Sequence, residues 1–143
     1  MLIAIVGESC VGKSTLADSL KGSISTEVYT GKDYLRLAKN EAIAKRLFQK
    51  KLEEAVTGGN LIYVIAEKEH LALLPEGTVT VLMTADLDLI LERFAQRMRG
   101  DLPQPVRQML EKKHGVFDTV SCQFRIHNCE NIQSVCEEIL CLK

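Results

Sequence analysis

Apolar positions along the chain fall into unbroken runs and periodic stripes. Residues 1–6 and 61–66 are runs rich in Ile, Leu and Val, the pattern of strands buried on both faces. Residues 14–21 follow the first run with a helical pattern that Gly22 is expected to stop. Residues 27–30 are a candidate short second strand. Over residues 42–56, Phe48, Leu52 and Val56 recur at steps of four, as on one helix face, until Gly58-Gly59. After the 61–66 strand, Pro75-Glu76-Gly77 marks a turn and residues 79–83 read as another strand. Leu87, Ile90, Leu91, Phe94 and Met98 then form a helical stripe, which residues 100–105, with two prolines, interrupt. A strand over 120–126 and an amphipathic helix carrying Ile132, Val135, Cys136, Ile139 and Leu140 finish the chain. Strands alternating with helices predict an α/β architecture: a mostly parallel five-stranded sheet flanked by helices in three layers.

A chain of 143 residues without repeat or linker is the size of one domain, 1–143. The formal charge of −1 disfavours nucleic acid and anionic membranes as partners, which are usually met by clustered Lys and Arg. No run approaches the roughly 20 apolar residues of a membrane span, and the chain starts on a strand-like run instead of a signal peptide. The expectation is a cytoplasmic protein. Five cysteines with no Cys-x-x-Cys pair suit reduced thiols. The oligomeric state is open.

The first strand and first helix are joined by Gly7-Glu8-Ser9-Cys10-Val11-Gly12-Lys13-Ser14, the spacing Gly-x-x-x-x-Gly-Lys-Ser. Such a loop wraps phosphate because glycines let the backbone curl with its N–H groups pointing inward. The following helix adds its N-terminal dipole. Lys13 is placed for the β- and γ-phosphates and the Ser14 hydroxyl for Mg²⁺. Gly7, Ser9, Cys10, Val11, Gly12, Lys13, Ser14 and Thr15 are therefore the candidate nucleotide-binding residues, with ATP and Mg²⁺ as cofactors. The strand–loop–helix setting separates the motif from a chance glycine turn.

Several segments resemble those of P-loop nucleotide and small-molecule kinases. No Asn-Lys-x-Asp motif of the GTP switches is present, and the chain is shorter than most motor ATPases. Thr30-Gly31-Lys32-Asp33-Tyr34-Leu35-Arg36 is similar to the Thr-Gly-Asp-x-Leu-Arg segment of adenylate kinases, with Lys32 inserted. That resemblance implies that Thr30 lines the acceptor pocket, that Arg36 holds an acceptor phosphate through its planar fork, and that Asp33 lies near Mg²⁺ or the acceptor hydroxyl. From residue type alone, Asp33 is equally a helix cap and Arg36 a solvated charge. Arg93 and Arg97, at i and i+4, are similar to the arginines leading into the lid of nucleoside monophosphate kinases, where they stabilise the transferring phosphoryl group. The bland alternative is a solvated basic face. Residues 100–106 look like a reduced lid, with Arg107 beyond it.

Glu67 ends the 61–66 strand where P-loop proteins carry an acidic residue. It is followed by Lys68-Glu69-His70, unlike the Asp-Gly-aromatic-Pro-Arg stretch of adenylate kinases or the glycine run of shikimate kinases. The overall resemblance is to cytidylate kinase-like proteins, carried by Asp33-Tyr34-Leu35-Arg36, Arg99-Gly100-Asp101-Leu102-Pro103 and Gly115-Val116-Phe117-Asp118. By the same resemblance Asn128 reads the base edge. From residue type Asn128 is as readily a turn residue, Asn131 the cap of the last helix, and His70 and His114 exposed loop residues.

These readings imply an ATP-dependent phosphotransferase acting on a nucleoside or nucleoside monophosphate. The catalytic set is Lys13, Arg93, Arg97 and Asp33, the acceptor set Thr30, Asp33, Arg36 and Glu67, and the metal set Ser14 and Asp33. A kinase of another small metabolite, shikimate kinase-like, and a non-catalytic ATP-binding regulatory module are the alternatives.

Overall fold

The computed structural model describes residues 1–142. Five strands, β1 (Leu2–Val6), β2 (Glu27–Thr30), β3 (Leu61–Ile65), β4 (Val79–Thr84) and β5 (Phe124–His127), form one sheet in the order β2-β3-β1-β4-β5. Every neighbouring pair is parallel, so the sheet is wholly parallel where the sequence pattern predicts only mostly so. Parallel neighbours need crossovers, and the helices α1 (Lys13–Ser23), α2 (Glu41–Thr57), α3 (Leu87–Met98), α4 (Gln104–Lys113) and α5 (Ile132–Cys141) lie in the connections. Residues alternate between the two sheet faces, and both faces are covered. Ile3, Ile5, Ile62, Val64, Val81, Met83 and Ile126 pack with α1, α3 and α5 residues such as Leu16, Leu20, Ile90 and Ile139. Leu2, Ala4, Val6, Tyr63, Ile65 and Leu82 face Phe48 and Leu52 of α2. That two-sided burial is why β1 and β3 show unbroken apolar runs instead of alternation.

On the α2 face an aromatic cluster fixes the segment after β2. The Phe48 ring stacks on Tyr34 at 5.2 Å, packs against Tyr29 at 5.1 Å and meets the Tyr63 ring edge-on at 4.8 Å between centroids. The Tyr63 hydroxyl donates to the Gly31 carbonyl at 2.8 Å, so the turn after β2 is tethered to the neighbouring strand. Burial raises the pKa of that phenol and keeps it a donor.

Five expectations need correction. Gly22 does not stop α1, which continues to Ser23 and is closed by the Ile24 N–H on the Leu20 carbonyl. An added Cβ at Gly22 would meet nothing within 4 Å. Gly22→Ala should therefore stabilise the chain by about 0.5–1 kcal/mol through helix propensity, read as a shift in urea midpoint. The 100–106 interruption is shorter than expected: Pro103 caps α4 and Pro105 lies in its first turn, where a missing N–H costs nothing. Strand β5 starts at Phe124 because Gln123 imitates strand backbone with its side chain, accepting from the Thr80 N–H at 2.8 Å and donating to the Thr78 carbonyl at 3.2 Å. Finally, Met98 is exposed, whereas His70 is buried beside Tyr63. Among the described residues no helix is long and apolar enough to cross a membrane.

Candidate active site

The central strand β1 delivers the glycine loop to the C-terminal edge of the sheet. Gly7 donates its N–H to the Ile65 carbonyl of β3 at 3.1 Å, and a Cβ at Gly7 would meet the Met83 carbonyl oxygen of β4 at 2.5 Å. The loop thus passes between strands with no room for a side chain at that point. Cys10 and Gly12 then adopt left-handed conformations, with φ of 65° and 99°, and curl the loop into the first turn of α1. Alternating conformations of this kind turn backbone N–H groups to one side and make an anion-binding concavity. The first turn of α1 carries no acidic residue to oppose an anion.

Lys13 folds back over this loop, its Nζ donating to the carbonyls of Gly7, at 2.7 Å, and Glu8. Burial lowers its pKa from 10.5 to about 8, with nearby Cys10 and Glu8 acting against the shift and Arg97 adding to it. Two further cations approach from α3. Arg93 donates through Nη1 to the Cys10 carbonyl at 2.9 Å and through Nη2 to the Cys129 sulfur at 3.8 Å. Arg93, Gln96 and Arg97 line a cavity of about 470 Å³ together with Cys10, Gly12, Thr15 and Cys129.

The other side of the loop is covered by the end of α4 and the residues after it. The buried Glu8 carboxylate accepts from the Gly115 N–H and from His114 Nδ1, each at 3.1 Å. Lys113 pairs with Glu67 at 3.6 Å. Beneath these contacts lies a cavity of only about 40 Å³ whose walls include Glu8, Ser9, Ala66, Glu67 and Phe117.

No protein-family profile matches the chain. A curated relative, the shikimate kinase of Pelotomaculum thermopropionicum, is 26% identical over 108 residues, which span 71% of this chain and 61% of that protein. The match thus covers less than two thirds of the relative's length. Among solved structures, the shikimate kinase from Acinetobacter baumannii in complex with shikimate superposes with a TM-score of 0.66 at 15% identity, covering 99% of this chain and 94% of the other. A putative kinase from Chloroflexus aurantiacus gives 0.66 at 11% identity, with coverages of 99% and 94%. A gluconokinase from Sinorhizobium meliloti gives 0.59 at 11% identity, with coverages of 97% and 89%. The chain has the fold of the P-loop small-molecule kinases.

Within that P-loop kinase fold the predicted site residues do not all converge on one place. Gly7, Ser9, Cys10, Val11, Gly12, Lys13, Ser14 and Thr15 form the loop and first helical turn, and α3 brings Arg93 and Arg97 to the same cavity. Glu67, at the end of β3, lines the small cavity with Glu8. The segment after β2 stands apart from both. Asp33 Oδ2 accepts the Thr30 N–H at 2.9 Å and closes the turn, and the Arg36 guanidinium rests over the Tyr29 ring at 4.9 Å. Neither cavity is lined by Thr30, Asp33 or Arg36.

Asn128 is held by Asp86, the residue that precedes α3. Its Oδ1 accepts the Asp86 N–H at 2.9 Å and its Nδ2 donates to Asp86 Oδ2 at 3.0 Å, while His127 Nε2 reaches Asp86 Oδ1 at 3.1 Å. The Asn128 bond, followed by that of His127, keeps the Asp86 carboxyl below its usual range. Asn131 is at the start of α5 with a left-handed backbone, φ 63°, and makes no side-chain cap. Arg107 pairs with Glu111 at 3.1 Å on the outside of α4.

Sequence reasoning missed three residues of the site: Glu8, His114 and Cys129. Glu8 was inside the motif as a variable position, and a carboxylate beside a phosphate loop was the available signal. The exposed Ser14 hydroxyl in the first turn of α1 is a hard oxygen donor of the kind that would suit Mg²⁺.

Proposed function

We propose that the chain transfers the γ-phosphoryl group of ATP to the hydroxyl of a small metabolite. The observation that carries this is the convergence of Lys13 from α1 with Arg93 and Arg97 from α3 on one glycine loop. Phosphoryl transfer asks the protein mainly for positioning and for charge to offset that on the phosphoryl oxygens. Nucleotide phosphates would lie along the loop N–H groups, with Mg²⁺ on Ser14 supplying charge neutralisation between them.

The comparisons favour a small hydroxylated metabolite over the nucleoside or nucleotide acceptor implied by the Thr30–Arg36 segment, since the curated relative is a shikimate kinase and the similarly folded structures include a shikimate kinase and a gluconokinase. The loop's acceptor side, next to Glu8 and Glu67, encloses about 40 Å³, far below the ~300 Å³ at which ligand pockets begin. Acceptor entry therefore requires Lys113, His114 and Gly115 to withdraw from Glu67 and Glu8. Asp33 and Arg36 would join the acceptor only by leaving Thr30 and Tyr29, and they enter the reading on that condition.

The test is transfer from labelled ATP with Mg²⁺ to shikimate, gluconate and other hydroxylated metabolites, with nucleosides and nucleoside monophosphates in parallel. Transfer to a metabolite and not to the nucleosides is the expected result. ATP binding without transfer to any acceptor would replace the enzyme with the regulatory module. Arg97→Ala should reduce turnover by about 10²-fold, the size of losing one preorganised transition-state contact. Because Arg97 is exposed at the cavity rim, ATP affinity should change much less than turnover; a loss of affinity with turnover at saturating ATP unchanged would place Arg97 in ground-state binding instead.

A further inference from the structure

Two thiols border the 470 Å³ cavity beside the glycine loop, which on the proposed function is where the nucleotide lies. Cys10 belongs to the loop and is buried, whereas Cys129, between β5 and α5, is half-buried and reachable. The Cys129 sulfur donates to the Val11 carbonyl at 3.5 Å and occupies the space beside Gly12 where a Cβ would otherwise sit. Its loop side is therefore full, and any group added to the sulfur must project into the 470 Å³ cavity. The same sulfur lies 3.8 Å from Arg93 Nη2, whose other nitrogen holds the Cys10 carbonyl. A group at that position would displace Arg93 from the loop as well as fill the cavity. All five cysteines are free; Cys136 is buried, and neither Cys122 nor Cys141 lines the cavity.

We propose that Cys129 is a thiol-modification site that closes the nucleotide cavity, and that its reagent is an anionic low-molecular-weight disulfide. Arg93 and Arg97 at the cavity place two positive charges where such a reagent enters. In the exchange the deprotonated Cys129 sulfur attacks one sulfur of the reagent; the reagent's S–S bond breaks as the mixed disulfide forms. Cys129 is oxidised and the departing sulfur is reduced to a thiolate, which takes up the proton that Cys129 released, so the reagent disulfide is itself the oxidant. The inference rests on the reading of this cavity as the nucleotide site.

The experiment incubates the full chain with glutathione disulfide, maps adducts by peptide mass spectrometry and measures ATP affinity by calorimetry before treatment, after it, and after dithiothreitol. The expected result is an adduct on Cys129, at least a tenfold loss of ATP affinity, and recovery on reduction. Cys129→Ser, compared with its own untreated baseline, should no longer respond, while Cys141→Ser should respond like the parent. Cys129 left unmodified while Cys141 reacts, an adduct on Cys129 with unchanged affinity, or a response that persists in Cys129→Ser would each overturn the proposal. An untreated chain that binds no ATP would instead overturn the reading of the cavity, and the proposal with it; that failure is visible before any reagent is added.

Discussion

Lys13→Ala should lower phosphoryl transfer by about 10²–10³-fold, the range for loss of one preorganised charge-stabilising group, and weaken ATP binding with it. In the structure the ammonium is held by the Gly7 and Glu8 carbonyls, already over the loop where phosphates would lie. It needs only to exchange carbonyl oxygens for phosphate oxygens. The same burial that lowers its pKa to about 8 gives a pH signature. Below pH 8 the free protein carries the charged form that phosphate requires. Above pH 8 ATP binding must take up a proton, so affinity should fall, by at most tenfold per pH unit, until the pKa of the bound state is reached. Stability of the nucleotide-free chain follows the opposite slope. Between pH 8 and 10.5 the unfolded chain binds more protons at this lysine than the folded one, so the Lys13 contribution becomes more favourable as pH rises through that window. Calorimetry across pH 7 to 9.5 in two buffers of different ionisation enthalpy measures the proton uptake directly. Its absence in Lys13→Ala and presence in the parent assigns it; wild-type binding and transfer in Lys13→Ala would remove the loop from the mechanism.

What could be read in the sequence was whatever depends on short-range pattern. The β1 run, the glycine spacing and α1 are contiguous, so strand, loop and helix were legible together, and the α3 stripe placed Arg93 and Arg97 on one face before any tertiary contact was known. Contacts that close through space left no such trace. Glu8 meets His114 and Gly115 across more than a hundred residues, and the Cys129 sulfur reaches Val11 across a similar span. His114 looked like a loop histidine because its partner lies in a different crossover. His70 misled for a related reason: the polar neighbours Lys68 and Glu69 set its local context, while the Tyr63 ring sets its burial.

Resemblance supplied roles for Asp33, Arg36 and Asn128 that local geometry uses otherwise, as a turn closure, a cover for Tyr29 and an anchor for Asp86. Each is a polar side chain with a competing partner one element away, and a motif cannot weigh that competition. Arg93 illustrates the converse. Its guanidinium points at the loop because the Cys10 backbone is turned left-handed there, leaving a carbonyl exposed toward α3.

Gly7→Ala should destabilise the chain by about 3 kcal/mol, at the upper end for an overpacked site and a large share of the roughly 5–15 kcal/mol that holds a domain folded. Its added carbon would lie 2.5 Å from the Met83 carbonyl oxygen and 2.7 Å from Val11 Cγ2. The Val11 side chain belongs to the loop and can give way. Met83 cannot do so cheaply, because β4 is held to β1 through the pairs Ile5–Val81 and Val6–Leu82 and to β5 through Met83–Ile126. Relief must therefore come from lifting the loop off the sheet, which also carries the Gly7 N–H away from the Ile65 carbonyl. Stability and phosphate binding should fail together in this variant, whereas in Lys13→Ala binding is weakened with the sheet intact. Urea denaturation and ATP calorimetry on the two proteins separate the cases. A Gly7→Ala chain with the parent's urea midpoint would mean that the loop clears β4, and that the requirement for glycine there comes from the bound phosphate rather than from the fold.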